Sequence, residues 1–196
     1  MFKPLRRLYD WVLHWAETPY GTPALFVLAF AESSFFPVPP DVLLIALSIS
    51  KPRNFARYAL VCTLGSVMGG VAGYYIGYAF WETVGQGILM RYVTPEAMDA
   101  VKAQFDQYQA WAVAIAGLTP IPYKIFTITA GFLEANLAVF VIASALSRGA
   151  RFFVVAGLIR MFGEPIRAFI DRYFNALTVA FAALLVGGFV LVRYLL

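Results

Sequence analysis

Several charged side chains lie inside the apolar stretches of this chain rather than between them. Glu32 and Asp41 flank a run of prolines in the first apolar stretch, and Lys124 lies two residues after the last proline of a second run. Arg148 and Arg151 lie in a later apolar stretch, three residues apart, so that they share a face if the stretch is helical. Acids can carry protons and these cations can bind anions, so the five residues are candidates for proton coupling and anion binding.

The residue types suggest a division of roles. Lys124 would precede a half-helix, so its ammonium and the positive helix N-terminus would converge on an anion such as a lipid phosphate. Arg148 and Arg151 are rival ligands, because a guanidinium binds phosphate bidentately. Glu32 and Asp41 are the candidates for proton coupling, since burial favours a neutral carboxyl. If the two proline runs meet, Asp41 and Lys124 would form an ion pair in the empty state, and an arriving phosphate or a proton on Asp41 would break it. Two alternatives stay open: Glu32 is neutralised by Arg148 or Arg151, and Asp41 only caps a helix or forms a purely structural ion pair.

Composition indicates where these charges lie. Hydrophobic residues make up 61% of the 196 residues and charged residues only 13%, which leaves too little polar surface to cover a soluble globule. We therefore expect one integral membrane domain over 1–196. The chain has one cysteine, Cys62, and one histidine, His14, so we expect no metal site and no cofactor. The net charge of +4 is expected to reflect arginines at the cytoplasmic face, not a nucleic-acid surface.

The lengths of the apolar stretches predict an all-α membrane fold with broken helices. A helix needs about 20 apolar residues to cross a bilayer, and the expected full spans are 58–82, 135–162 and 174–193. Segments 1–20 and 95–110 are expected to be amphipathic surface helices. Segments 21–50 and 110–134 are too short on either side of their prolines, and they predict two re-entrant hairpins whose tips carry Pro37, Pro39, Pro40, Pro120 and Pro122. The alternative for each is a single proline-kinked span.

The order of these elements predicts an inverted repeat. Each half has a surface helix, a proline-centred hairpin and a full span, and the basic N-terminus and basic loop 51–57 are expected in the cytoplasm. Inverted repeats with broken helices are a transporter architecture. Glycines recur every fourth residue in the first span and predict close helix packing, with a dimer interface or an acyl-chain track as alternatives: Gly65, Gly69, Gly73 and Gly77.

The motifs resemble those of a known family. Glu32 with PVPPD, the glycine-rich span, and LTPIPYKIFTITAGF before an arginine-bearing apolar helix resemble the DedA family, also called SNARE-associated or VTT-domain proteins, and its YqaA-like branch. The resemblance covers roughly 24–162. It implies a bacterial inner-membrane protein with two facing re-entrant hairpins. It also implies movement of lipid phosphates, such as undecaprenyl phosphate or phospholipids, between leaflets, with coupling to the proton gradient; eukaryotic relatives resemble lipid scramblases.

The family pattern also implies site residues. It has two acids in the first hairpin, which Glu32 and Asp41 match in type. It has two arginines in the second hairpin, where this chain has Gly117 near the earlier position and Tyr123, with Lys124 beside it, near the later one. Tyr123 therefore joins the predicted phosphate-binding residues.

The expected function is that of a flippase-like transporter for a phosphate-bearing lipid, with proton coupling as a hypothesis and membrane lipids as partners. A proton- or ion-coupled exchanger of small solutes and a non-catalytic assembly protein are the alternatives, and an oligomer is left open. We expect no enzyme, because the sequence has no nucleophile elbow, histidine cluster or aspartate-rich metal motif.

Overall fold

The computed structural model describes residues 18, 20–35, 39–85, 94–119, 122–163 and 165. These residues form six α-helices: α1 Gly21–Ser34, α2 Asp41–Ser50, α3 Phe55–Phe80, α4 Pro95–Leu118, α5 Tyr123–Phe132 and α6 Leu137–Gly163. A 3₁₀ turn, Pro52–Asn54, leads into α3, and a π-helical turn, Trp81–Gly85, ends it. The expected surface helix 1–20, apart from Thr18 and Tyr20, and the expected last span 174–193 lie outside the described residues.

The described part of the chain is all-helical, as expected, and it contains two helices that are long and apolar enough to cross a membrane. They are Pro52–Thr83 and Leu137–Gly163. They lie where the first two full spans, 58–82 and 135–162, are expected.

The helices break at the prolines. We call 21–50 the first proline segment and 110–134 the second. In the first, α1 ends at Ser34 and α2 starts at Asp41; in the second, the break lies between Leu118 and Tyr123. A proline has no N–H to continue the helical hydrogen bonds and its ring clashes with the preceding turn, so the helices stop there.

Of the predicted tip prolines, Pro39, Pro40 and Pro122 lie outside the α-helices, whereas Pro37 and Pro120 fall outside the described residues. The expected surface helix 95–110 and the first arm of the second segment form one continuous helix, α4, without a break at residue 110.

Two short helices pack along the glycine face of α3. A Cβ built on Gly65 would lie 2.6 Å from the carbonyl oxygen of Phe26 in α1, and one on Gly77 would lie 1.9 Å from that of Ile128 in α5. Gly69 makes the same kind of contact with α1. Only glycine allows backbones to approach this closely. Helix α1 therefore lies along the first part of α3, and α5 lies along the last part.

Each proline segment has its own apolar core at its own end of α3. The first core contains Leu25, Leu44, Leu47, Tyr58 and Phe152 together with smaller neighbours. The second core contains Tyr74, Val113, Tyr123, Ala130 and Phe140. Because the early part of α6 packs with the late part of α3, and the late part of α6 with the early part of α3, these two long helices run antiparallel.

The turn from α5 to α6 is fixed by local hydrogen bonds. The N–H of Ala135 bonds to the carbonyl of Ala130, and the N–H of Glu134 bonds to that of Gly131. This is a Schellman motif, in which Glu134 (φ 56°) occupies the left-handed position that glycine usually takes. The side-chain oxygen of Asn136 then accepts the first free N–H groups of α6 at 3.0 and 3.1 Å. These bonds fix the start of α6 relative to the end of α5, and thereby the position of the arginines on α6.

Candidate functional site

Arg148 lies at the centre of a buried polar cluster. Only 2% of this residue is exposed, and its Nη2 lies 2.7 Å from Oε2 of Glu32. Its Nε donates to Oγ of Ser66 at 2.7 Å. Its guanidinium also stacks on two rings, 4.9 Å from the centroid of Tyr123 and 4.6 Å from that of Phe152. A buried charge is tolerated only when it is paired and hydrogen-bonded, and this arginine meets both conditions.

Two buried serines complete the cluster. Ser33 Oγ donates to the Glu32 carboxylate at 3.2 Å and lies 2.7 Å from Ser66 Oγ. Both serines are fully buried. Glu32 and Ser33 lie near the C-terminal end of α1, Ser66 lies on α3 and Arg148 on α6, so the cluster joins three helices through one hydrogen-bonded chain.

Arg151 forms a second bridge one turn further along α6. Its Nη2 lies 3.0 Å from Oδ2 of Asp41, the first residue of α2. Its Nη1 donates to the carbonyl oxygen of Thr119, just beyond the end of α4, at 2.8 Å. About a fifth of each charged side chain is exposed, 21% for Arg151 and 19% for Asp41, so this pair is more accessible than the pair at Arg148. The guanidinium of Arg151 thus bonds to both proline segments.

The two proline segments also meet directly. Thr127 of α5 donates its hydroxyl to the carbonyl oxygen of Ser33 at 3.1 Å. Both residues lie against Gly73 of α3, where a Cβ would come within 2.4 Å of Thr127 Oγ1 and 3.2 Å of the Ser33 carbonyl oxygen. On α1, Ser34 adds a hydrogen bond of 2.9 Å to the carbonyl of Gly69. The end of α1 and the first turns of α5 therefore meet at the middle of α3.

Comparison with known proteins shows the family of this chain. A model of the VTT domain matches residues 36–161, which is more than half of the chain. The chain belongs to the VTT-domain, or DedA/SNARE-associated, family. This confirms the resemblance read from the sequence, and with the two apolar helices it makes the chain a membrane protein.

Relatives of this VTT-domain protein occur in bacteria and archaea. The chain is 36% identical over 161 residues to an uncharacterized protein of Haemophilus influenzae, covering 82% of this chain and 83% of the relative. It is 35% identical over 161 residues to an uncharacterized protein of Histophilus somni, covering 82% and 84%. A third relative, an uncharacterized protein of Methanocaldococcus jannaschii, is 26% identical over 129 residues and covers 66% of this chain and 78% of its own. No solved structure matches.

The ion pairs of this VTT-domain protein differ in part from those considered from the sequence. Glu32 pairs with Arg148, which was one of the two arginines considered. The pair between Asp41 and Lys124 is not formed; that prediction was wrong, because Arg151 reaches Asp41 from α6. Among the described residues no ion pair includes Lys124, which lies half-buried in the first turn of α5. Asp41 does not cap α2 as its N-cap residue either, since that position is Pro40.

Tyr123 lies inside the second core rather than at an open surface. The residue is fully buried, and its hydroxyl bonds to Ser144 of α6. Its ring stacks on that of Phe140, and the guanidinium of Arg148 lies over the Tyr123 ring. Tyr123 is thus placed to support Arg148, and a lipid phosphate would reach its hydroxyl only after Ser144 is displaced.

The positions where the family pattern implies basic residues both lie against Arg148. A Cβ on Gly117 would come within 2.2 Å of Ser147 Oγ and 3.6 Å of Arg148 Cδ, and Tyr123 contacts the guanidinium itself. Neither of these two positions is basic in this chain, and the cation that lies against both of them is Arg148 of α6. The glycine at 117 leaves the room that α6 needs.

The cluster contains residues that the sequence analysis did not single out: Ser33, Ser66 and Thr127. Their signal was weak, because an uncharged serine or threonine is common in membrane helices. A double serine directly after a buried glutamate was the one available hint. Within the described ranges, no group of three or more His, Cys, Asp and Glu residues is placed to hold a metal ion.

Chemically, the site contains two carboxylate–guanidinium pairs within a mostly apolar protein. A proton on either carboxyl would weaken its pair and free a guanidinium. An anion such as a phosphate would compete with the carboxylate for the N–H donors of the same guanidinium. The geometry therefore links protonation to anion binding at both arginines.

Proposed function

We propose that this VTT-domain protein moves a phosphate-bearing lipid between the two leaflets of a membrane. The observation that carries the proposal is the two ion pairs from α6 to the first proline segment: Glu32–Arg148, which is largely buried, and Asp41–Arg151, which is about one-fifth exposed. Ionisable groups at membrane depth are costly and mark substrate or proton pathways. A fixed scaffold would gain as much stability from apolar residues of the same size.

We further infer that both proline segments are re-entrant hairpins that form an inverted repeat. Leu25 of α1 and Leu47 of α2 pack in one core near the start of α3, as expected if the first segment enters and leaves on one side. The second segment packs at the other end of α3. Broken backbone in the middle of the protein would then lie next to the buried charges, as it does in transporters with inverted repeats.

The proposed cycle uses the ion pairs as the empty state. A lipid phosphate reaches Arg151 first, because that guanidinium is the more exposed of the two. It displaces Asp41, whose carboxylate is the proposed proton acceptor once it has lost its cation, and Lys124 adds a positive charge at the start of α5. Glu32 and Arg148 respond in the same way as the headgroup moves inward. Proton uptake and phosphate binding are therefore coupled, and the reverse steps release the lipid.

In this proposal the protein is a transporter and not an enzyme, and its partners are anionic phospholipids or polyprenyl phosphates. It lies in the bacterial inner membrane with its N-terminus in the cytoplasm, on the side of basic loop 51–57. Proton-coupled exchange of a small solute is the second candidate, since the same ion pairs would serve it. The two candidates differ in whether proton flux requires lipid.

The test uses purified full-length protein in liposomes with fluorescent lipids that differ only in headgroup: an anionic phospholipid, a zwitterionic phospholipid and a polyprenyl phosphate. Flipping is followed by quenching the outer leaflet, and a pH-sensitive dye reports proton flux in the same vesicles. Arg151→Gln removes the proposed first ligand. Arg160→Gln is the matched control, because Arg160 lies on the same helix but is exposed, and its guanidinium lies over the ring of Phe55.

We expect protein-dependent flipping of at least one phosphate-bearing lipid, a fall of tenfold or more in Arg151→Gln, and no change in Arg160→Gln. Equal rates in vesicles with and without protein for all three lipids would refute lipid transport. Proton flux that needs no lipid substrate, but needs Arg151, would instead support the solute exchanger.

A further inference from the structure

The end of α1 has a carbonyl group that cannot form the usual helical hydrogen bond. In a helix the carbonyl of Ser33 would accept the N–H of residue 37, but that residue is Pro37, which has none. Ser33 is fully buried, so water does not solvate the carbonyl freely. A buried carbonyl without a donor is costly, and another part of the molecule has to supply one.

The donor comes from the other proline segment. The hydroxyl of Thr127, fully buried on α5, reaches the Ser33 carbonyl at 3.1 Å. The same hydroxyl lies 2.9 Å from the carbonyl of Lys124, one turn earlier in its own helix. The hydroxyl has one hydrogen for these two acceptors, so a switch to the local bond would leave the Ser33 carbonyl without the donor that Thr127 supplies.

Ser33 connects this bond to the acid of the site. Its own hydroxyl donates to the Glu32 carboxylate at 3.2 Å and contacts Ser66, which holds Nε of Arg148. Its carbonyl is held by Thr127. The residue is thus fixed on both sides, and any movement of α5 changes the position of the turn that carries Glu32.

We propose that Thr127 is a positioning residue for the Glu32–Arg148 pair. Its hydroxyl fixes the last turn of α1, so that the carboxylate of Glu32 meets the guanidinium, and it transmits movement of the second proline segment to that pair. The proposal rests on the proposed lipid transport for its functional consequence, but its structural content can be measured without transport.

The test uses one isosteric variant and one variant that keeps the hydroxyl. Thr127→Val keeps the shape and removes the donor, whereas Thr127→Ser keeps the donor and removes a methyl group. Loss of one buried hydrogen bond corresponds to roughly a tenfold change in an equilibrium or rate. We expect the flip rate per mole of folded protein to fall about tenfold in Thr127→Val and to stay within about twofold of wild type in Thr127→Ser.

A second measurement separates positioning from general support of the fold. The midpoint of thermal unfolding in detergent is measured for Thr127→Val, for Glu32→Gln and for the double variant. If Thr127 positions Glu32, the two shifts are not additive, and the valine shift becomes smaller when Glu32 is already replaced. The control cycle combines Thr127→Val with Lys102→Gln, because Lys102 pairs with Glu134, which lies beyond the C-terminal end of α5; there we expect additive shifts.

The outcomes are distinct. Additive shifts in the first cycle, or unchanged flipping in Thr127→Val, would overturn the positioning role. If wild-type protein moves no lipid, the proposed function fails, and the first cycle alone still decides the positioning role. If Thr127→Val does not fold, Thr127→Cys takes its place in both measurements, because a thiol is a weak donor; Thr127→Cys and Thr127→Ser giving equal flip rates and equal, additive shifts would then refute the role.

Discussion

Replacing Arg148 by methionine should destabilise the protein by about 4 kcal/mol. Methionine keeps much of the apolar stem but removes two charge-assisted hydrogen bonds, to Glu32 and to Ser66, each 2.7 Å long. Such bonds contribute about 1.5–3 kcal/mol each, and the stacking of the guanidinium on Tyr123 and Phe152 contributes roughly 0.5–1 kcal/mol for each ring. The lost desolvation cost of the buried cation offsets part of that sum. Breaking one side of a buried ion pair typically costs about 3–5 kcal/mol.

The assay is the free energy of unfolding in mixed micelles for Arg148→Met, Glu32→Gln and the double variant. Because the single change leaves the largely buried Glu32 carboxylate without its cation, the double variant should lose about 2 kcal/mol less than the sum of the two single variants. Arg160→Met is the matched control, the same substitution on an exposed part of α6, and should cost under about 1 kcal/mol. If Arg148→Met costs no more than Arg160→Met, or if the double variant is additive, the two residues do not form a stabilising pair.

Three further predictions concern packing and hydrogen bonds, each checked by the midpoint of thermal unfolding in detergent. Gly77→Ala should cost about 1–3 kcal/mol, because its Cβ would lie 1.9 Å from the carbonyl oxygen of Ile128. Gly157→Ala is the control: its Cβ would meet no atom of the described residues within 4 Å, so it should be neutral or stabilising. Equal effects of the two substitutions would contradict the close packing of α3. Ser48→Ala should stabilise by about 1 kcal/mol, because this buried hydroxyl has no hydrogen-bond partner among the residues that the structure describes; a loss of stability would mean that it has one elsewhere. Tyr74→Phe should cost about 1 kcal/mol, since it removes the 2.6 Å bond to the backbone at the start of the α5–α6 connection, and an unchanged midpoint would show that this bond contributes nothing.

The charged residues of the site could be found from the sequence because each one is costly in an apolar stretch. Glu32 and Arg148 are conspicuous for that reason, and their pairing was among the alternatives considered. The partner of Asp41 was predicted wrongly. Proximity of the two proline tips favoured Lys124, whereas Arg151 is 110 residues away in the chain and reaches Asp41 only because α6 packs antiparallel to α3. A single sequence contains no signal for that packing.

The uncharged residues of the site could not be found in the same way. Ser33, Ser66 and Thr127 act through single hydroxyl groups, and a hydroxyl in a membrane helix usually bonds to its own helix. The continuation of α4 through residue 110 could not be predicted from the sequence either. The change from acidic to apolar composition there suggested two elements, but the chain between Pro95 and Leu118 has no proline to end a helix, and it forms one. A change in composition predicts a change in the environment of a helix, whereas a proline predicts where the helix ends.

The same prolines explain why the site contains donors from distant parts of the chain. Each broken helix end leaves carbonyl groups that no backbone N–H of that helix can reach, and the structure supplies side-chain donors instead: Thr127 for the end of α1 and Arg151 for the end of α4. A side-chain bond of this kind has a net worth of about 1 kcal/mol and can be broken alone. Opening a continuous helix at the same depth would expose several backbone groups together, each costing more than that in an apolar environment. Because Arg151 divides its donors between the Thr119 carbonyl and the Asp41 carboxylate, an anion that takes this guanidinium would loosen both proline segments at once. That is the mechanical reason to expect substrate binding and movement of the broken helices to be one event.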